Sequence, residues 1–176
     1  EYVAVAQLSV KIPGLKVTNL NSGDRDLAGT KIYKKMPQGY VLVQTLDTRG
    51  SEDVYFYDYH GEKFLAVASI GQGKYPHLVS TTKSSIYRWH GGQFKLFQSF
   101  DLEGAKHAVM QVIHDRLYVF FATGVTINDS GSVPSQQSPI YVLDPVEDRF
   151  TLVQGIPTYF AYGMDPFILN DVVYLS

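Results

Sequence analysis

The chain repeats itself. Ile32-Tyr33 recurs as Ile86-Tyr87 and again as Ile140-Tyr141, 54 residues further on each time. Tyr40-Val-Leu-Val-Gln44 returns as Phe94-Lys-Leu-Phe-Gln98 and as Phe150-Thr-Leu-Val-Gln154. Gly50-Ser51 lines up with Gly104-Ala105 and, less closely, with Phe160-Ala161. Eleven residues past Gly50, Gly104 and Phe160 stand Gly61, Asp115 and Asp171, each ending a tight turn. Three further on, Phe64, Tyr118 and Tyr174 open Phe-Leu-Ala-Val-Ala, Tyr-Val-Phe-Phe-Ala and Tyr-Leu-Ser, and Tyr2-Val-Ala-Val-Ala6 copies the same stretch. A period of this order means stacked supersecondary units, each burying a face against its neighbour.

The residues inside each unit are those of strands. Thirteen Tyr and ten Phe lie mostly in short β-branched runs punctuated by Gly and Pro, as suits a pleated, half-buried surface. Apolar spacing at helical period is not sustained over three turns anywhere, and Gly104 to Val112, the best helical candidate, reads equally well as a strand. The middle unit predicts strands near Lys106–Ile113, Leu117–Ala122, Ile140–Leu143 and Phe150–Ile156. His60-Gly61, His114-Asp115 and His90-Gly91-Gly92 supply turns, with glycine where a tight hairpin wants positive φ. Four antiparallel strands per repeat are the pattern of β-propeller blades. The fold class expected is therefore all-β, with about three repeats of roughly 54 residues. The division expected is 1–39 (the end of one blade, from its second strand, with a long loop), 40–93, 94–149, and 150–176 as the truncated start of another repeat.

Composition narrows the function. Apolar residues at 45% and charged residues at 18% exclude a disordered chain. Fifteen Lys and Arg against seventeen Asp and Glu leave a net charge of −2, which offers no basic field for nucleic acid. The absence of cysteine removes disulfides, thiolate metal sites and cysteine nucleophiles. No apolar run approaches the roughly 20 residues of a membrane-spanning helix. No nucleophile elbow, phosphate loop or H-E-x-x-H motif is present.

The run from Tyr40-Val-Leu-Val-Gln44 through Phe64-Leu-Ala-Val-Ala68 to Ser85-Ile-Tyr-Arg-Trp-His-Gly91 resembles the epilepsy-associated repeat, or EPTP repeat. The next unit, from Phe94 through Gly104-Ala105 to Ile140-Tyr141, is similar with a substituted strand. The third departs, with Phe160 in place of glycine and Gly163 and Pro166 inside its first strand. The resemblance implies blades of a seven-bladed propeller in secreted or cell-surface proteins, such as the leucine-rich glioma-inactivated proteins and the ectodomain of a very large adhesion receptor. It implies adhesion or receptor binding without catalysis, an extracellular location, and a cell-surface receptor or matrix protein as partner. Three repeats are too few for a seven-membered ring, so the chain reads as a segment of a longer polypeptide, with two chains closing a six-bladed ring as the alternative. A further alternative is an intracellular Kelch-like adaptor, suggested by Trp89 and Gly91-Gly92, although the double glycine occurs once. A propeller enzyme comes third.

In a blade, the connections from second to third strand share one face: Gln7 to Lys31, Ser69 to Ser85, and Thr123 to Pro139. Long connections of this kind often carry function, and Arg25, Tyr75 and His77 are the candidate partner contacts. Asn128-Asp-Ser130 is a glycosylation acceptor in such a connection. No cofactor is required; Asp53 and Asp165, near first strands, are weak candidates for a Ca²⁺ ion. Trp89 and Arg88 fit inter-blade packing, with Arg88 on a neighbouring ring. His60 and His114 recur because their turn recurs, and blade geometry separates them.

Overall fold

The structure is a computed structural model and describes residues 1–16, 22–124, 126–128, 131–133 and 137–176. The alternating aromatic and β-branched runs form strands throughout, and no helix is present among the described residues. β1 (Tyr2–Val5), β2 (Lys31–Met36) and β3 (Gly39–Thr45) make a three-stranded antiparallel sheet. β4 (Ser51–Tyr59), β5 (Glu62–Ser69), β8 (Thr81–His90) and β9 (Gln93–Glu103) make a four-stranded one. β10 (Ala105–Ile113), β11 (Arg116–Thr123), β14 (Gln137–Asp144) and β15 (Arg149–Pro157) repeat it. β16 (Pro166–Leu169) and β17 (Val172–Leu175) pair as a final hairpin. Two small hairpins stand apart, β6 (Gln72–Lys74) with β7 (His77–Val79), and β12 (Thr126–Asn128) with β13 (Gly131–Val133). The fold is all-β, and its four-stranded antiparallel sheets are propeller blades.

The four strands expected in the middle unit are all present, each longer by one to four residues. The candidate helix is strand β10. All three copies of the turn keep both central residues at positive φ: His60 (51°) with Gly61 (81°), His114 (46°) with Asp115 (60°), and Asn170 (51°) with Asp171 (61°). That is the type I′ geometry whose twist matches a hairpin. Gly50 and Gly104 sit at φ 56° and 61°, and Phe160 sits at 54°, so the substituted residue keeps the glycine's backbone. What changes is the strand behind it: β16 begins only at Pro166, because Gly163 and Pro166 weaken its earlier half.

The repeated Ile-Tyr and Gln residues mark one local distortion. Ile32 pairs with Gln44 and Tyr33 with Leu42, which leaves Val43 as an extra residue. Ile86 with Gln98 and Ile140 with Gln154 do the same around Phe97 and Val153. Each is a β-bulge, which bends the outer strand and re-aims its side chains.

The core lies between successive sheets. Phe64, Ala66 and Ile86 of one blade meet Met110, Leu117 and Val119 of the next in a single buried cluster. Fully burying each large member contributes about 1.5–3 kcal/mol. β5 is buried from Phe64 to Ser69 because sheets cover both its faces, which is why its sequence does not alternate.

Candidate functional site

Among the described residues, the connections between second and third strands include short paired segments. After β5 the chain forms the hairpin β6–β7 before β8 begins at Thr81, four residues earlier than the sequence suggests. The hairpin can leave because hydroxyls replace ladder bonds at the point of departure. Ser84 Oγ accepts the Ser69 N–H at 3.1 Å, and Ser138 Oγ accepts the Thr123 N–H at 3.0 Å. In the first sheet, Thr30 Oγ1 joins Thr48 Oγ1 at 2.9 Å and Ser51 Oγ at 3.0 Å, all buried.

The hairpin is then strapped to the connection before it. Asp24 bridges Val10 on one side and Lys74 on the other. The Arg25 N–H donates to Gly73 O, the Tyr75 N–H to Gly23 O, and the Gly73 N–H to Asp26 Oδ1, each at 2.9 Å. Arg49 adds its Nη1 to Gln72 Oε1 at 3.2 Å. On the far side β7 lies beside β12. The connections thus form a belt of short extended segments that crosses from sheet to sheet on one face.

Of the three candidate contacts, Tyr75 and His77 are exposed near the hairpin tip, and Leu78 anchors it from below. Arg25 is different. It is 1% exposed, with its side chain running between two glycines. A Cβ at Gly50 would stand 3.2 Å from Arg25 Cδ, and one at Gly71 2.8 Å from Nη1. Arg25 therefore supports the belt from beneath and does not face a partner. Burial lowers its pKa, and the nearby Glu52 carboxylate opposes that shift. Sequence cannot distinguish a buried arginine from an exposed one inside a polar connection.

Along the inner strands, the bulge residues of successive sheets approach each other. Glu52 is the extra residue of β4, and Lys106 of β10. Lys106 Nζ lies 4.0 Å from Glu52 Oε1 and 3.9 Å from the centre of the Tyr162 ring. Burial raises the Glu52 pKa, while Lys106 and Arg25 pull it back. Next to them, Asp53 Oδ2 accepts the Ala108 N–H at 3.0 Å and lies 3.7 Å from His107 Nε2. His107 Nδ1 accepts the Met164 N–H at 3.4 Å. Asp53 is thus used in joining sheets. The Asp165 main chain exchanges bonds with Ser176, at 3.2 and 3.1 Å. Among the described residues, no group of three or more His, Asp or Glu side chains gathers at metal-binding distance.

His60 Nε2 meets Asp115 Oδ1 of the next sheet at 3.2 Å. The Arg88 guanidinium lies 4.0 Å from the Phe97 ring centre and 5.2 Å from that of Phe64. It also forms a two-point pair with Asp148 of the following sheet. Trp89 stacks edge-on on Tyr2 of the preceding sheet and on Phe94, its neighbour in its own sheet, both at 5.0 Å. Asn128 ends β12, while Asp129 and Ser130 of its acceptor triplet lie outside the described residues.

Sequence reading missed what the repeated glutamines do. Gln44 Nε2 donates to Phe94 O at 2.6 Å, and its Oε1 accepts the Phe94 N–H at 2.9 Å. Gln98 grips Phe150 in the same way, at 2.8 and 2.7 Å. Each carboxamide pairs with the main chain that opens the outer strand of the next sheet. The signal was the recurrence of Gln with an aromatic four residues before it. Thr30, Ser84 and Ser138, also spaced by 54, were the unread signal for the hydroxyl joints.

Residues 39–90 match the family model described as the EPTP domain, a span that runs from β3 to the end of β8. No curated protein matches the chain. The matched span lies across the seam between the first two sheets, so the part of the chain similar to an EPTP repeat takes its last strand from one sheet and its first three from the next.

Proposed function

We propose that this propeller segment is non-catalytic and extracellular, and that it serves adhesion or receptor binding. Its partner, a cell-surface receptor or matrix protein, meets the face built by the long connections, through Tyr75 and His77. The observation that carries this reading is the belt. Closing the four-stranded sheets needs only short turns, yet three connections are spent on a braced layer that holds Tyr75, His77 and Val79 outward. A rigid surface presenting an aromatic ring binds with little ordering cost. In this reading the units are 1–39, 40–93, 94–149 and 150–176 of a seven-bladed ring, and Asn128 carries a glycan at the edge of the same face.

The test uses the chain expressed through a secretory pathway, labelled and titrated onto a panel of cells. Binding saturates on some of them, and the Tyr75→Ala/His77→Ala double variant binds at least about tenfold more weakly with an unchanged melting temperature, a loss of about 1.4 kcal/mol or more. Equal binding by the variant removes this face from the interaction. A mass increment on the Asn128 peptide, lost on amidase treatment, supports the extracellular route; an unmodified peptide from the same preparation counts against it.

A further inference from the structure

Two seams flank the sheet β4–β5–β8–β9, and equivalent positions of the repeat meet at each. At the second seam, against β10–β11–β14–β15, the outer end is filled. The Arg88 guanidinium lies 5.2 Å from the centre of the Phe64 ring and 4.0 Å from that of Phe97, and it pairs at two points with Asp148. Phe97, the bulge residue of β9, packs edge-on against Phe64 at 5.7 Å and Phe150 at 6.0 Å. At the first seam, against β1–β2–β3, Lys34 stands in the place of Arg88, 54 residues earlier. Its Nζ lies 5.9 Å from the centre of the Tyr2 ring, which takes the place of Phe64. The other two groups are not repeated. The bulge residue of β3 is Val43, where β9 has Phe97. Counted back from the equivalent Phe94 and Phe150, Gly92 stands where the second seam has Asp148. A cavity of about 160 Å³ opens at this point, and its lining includes Tyr2, Lys34, Val43, Trp89, Gly92 and Gln93. Tyr2 aside, these residues belong to the outer strands β2 and β3 and to the β8–β9 hairpin.

We infer that this cavity binds a segment of a protein partner in which an aromatic residue neighbours an acidic one. The ring takes the place that Phe97 holds at the second seam, over Val43 and against Trp89. The carboxylate takes the place of Asp148 and meets Lys34. The charge-assisted bond to the ammonium fixes the segment's orientation, and the ring gains apolar contact with an edge-to-face partner in the indole. A Cβ at Gly92 would meet no atom within 4 Å, so the way to Lys34 is open. The second seam thus supplies within the chain what a partner supplies at the first. The cavity lies toward the tight β8–β9 turn, at the opposite end of the sheets from the long connections. This proposal and the preceding one can therefore fail separately.

The probes are the blocked dipeptides Phe-Asp and Asp-Phe, titrated into the full chain. Trp89 is the single tryptophan and lines the cavity, so its emission reports occupancy. The expected result is a saturable change in that emission with at least one of the two probes. Asparagine in place of the probe's aspartate weakens binding about fivefold. Lys34→Gln has the same effect, and Lys34→Arg, the residue type of the second seam, keeps the parent's affinity. Val43→Phe puts the second seam's ring into the cavity and weakens binding at least about tenfold, without lowering the melting temperature. The inference is overturned if neither probe changes the emission or if the asparagine probes bind equally well. It is also overturned if Val43→Phe binds as the parent does, because Trp89 then responds to a ligand outside this cavity.

Discussion

Gln98 shows at the smallest scale how the sheets are held together. Its carboxamide satisfies both the N–H and the C=O of Phe150, a residue on another sheet. Only an amide offers a donor and an acceptor at the spacing of a peptide group. The bulge at Phe97 is what turns it sideways. Gln98→Ala leaves both main-chain groups without their partner in a part-buried seam, at a cost of about 2–4 kcal/mol. Gln98→Glu keeps the acceptor, loses the donor and places a carboxylate against Phe150 O, so it destabilises at least as much at pH 7. Urea unfolding midpoints check both; an unchanged midpoint for either variant would remove the clamp from the account of cohesion. The neighbouring Leu42, Leu96 and Leu152 recur just as faithfully, yet are 47%, 60% and 63% exposed. Periodicity alone reveals that a position matters to the unit, and cannot say whether it is buried.

At the scale of an element, the entry to the inner strand is where repeat and chemistry can be separated. Gly50 and Phe160 share a left-handed backbone, but their surroundings differ. A Cβ at Gly50 would stand 2.1 Å from Gly71 O, which belongs to the connection folded over it. Gly50→Ala must therefore displace main chain as well as hold an unfavourable φ, and a loss of about 2–4 kcal/mol is expected. Phe160 is 39% exposed and touches Tyr159 edge-on at 4.9 Å, so its side chain anchors little. Phe160→Gly relieves a conformation that costs a non-glycine residue about 1 kcal/mol, offset in part by glycine's greater freedom when unfolded. Stability should stay level or rise by up to about 1 kcal/mol, with thermal melting as the check. A clear loss there would mean that the ring is needed for packing.

The same comparison shows what sequence made legible. Strand order, turn type and the alignment of Phe160 with glycine follow from local preferences, and local preferences are written residue by residue. The belt is not, because the pairing of Asp24 with Lys74 joins connections whose hairpins recur 54 residues apart, β6–β7 as β12–β13, with few of the same residue types. Arg25 was misplaced for that reason: its burial depends on a hairpin some fifty residues later in the chain (about one repeat).

For the molecule as a whole, stability depends on seams between sheets, and a buried tyrosine stands among the titratable groups there. Tyr87 is 4% exposed and donates its hydroxyl to Asp47 O at 3.1 Å across the first seam. Burial, with the field of Asp47 added, pushes its pKa up to about 12. Burial also raises Tyr55 and Tyr141. A phenol whose pKa is higher folded than unfolded holds its proton more tightly in the native state. Its contribution is whole below the unfolded value near 10 and is lost as pH rises toward 12. Between those limits the unfolded chain has shed protons that the native chain retains, so stability falls by up to about 1.4 kcal/mol per pH unit for one such group. Tyr87→Phe removes that group while keeping the ring. At pH 7 the variant is less stable by about 1 kcal/mol, for the lost hydrogen bond. From pH 10 to 12 its urea midpoint declines less steeply than that of the parent, and the two curves converge and then cross. Parallel curves over that range would show that Tyr87 ionises as readily in the folded seam as in the open chain, and that the seam is wetter than its packing indicates.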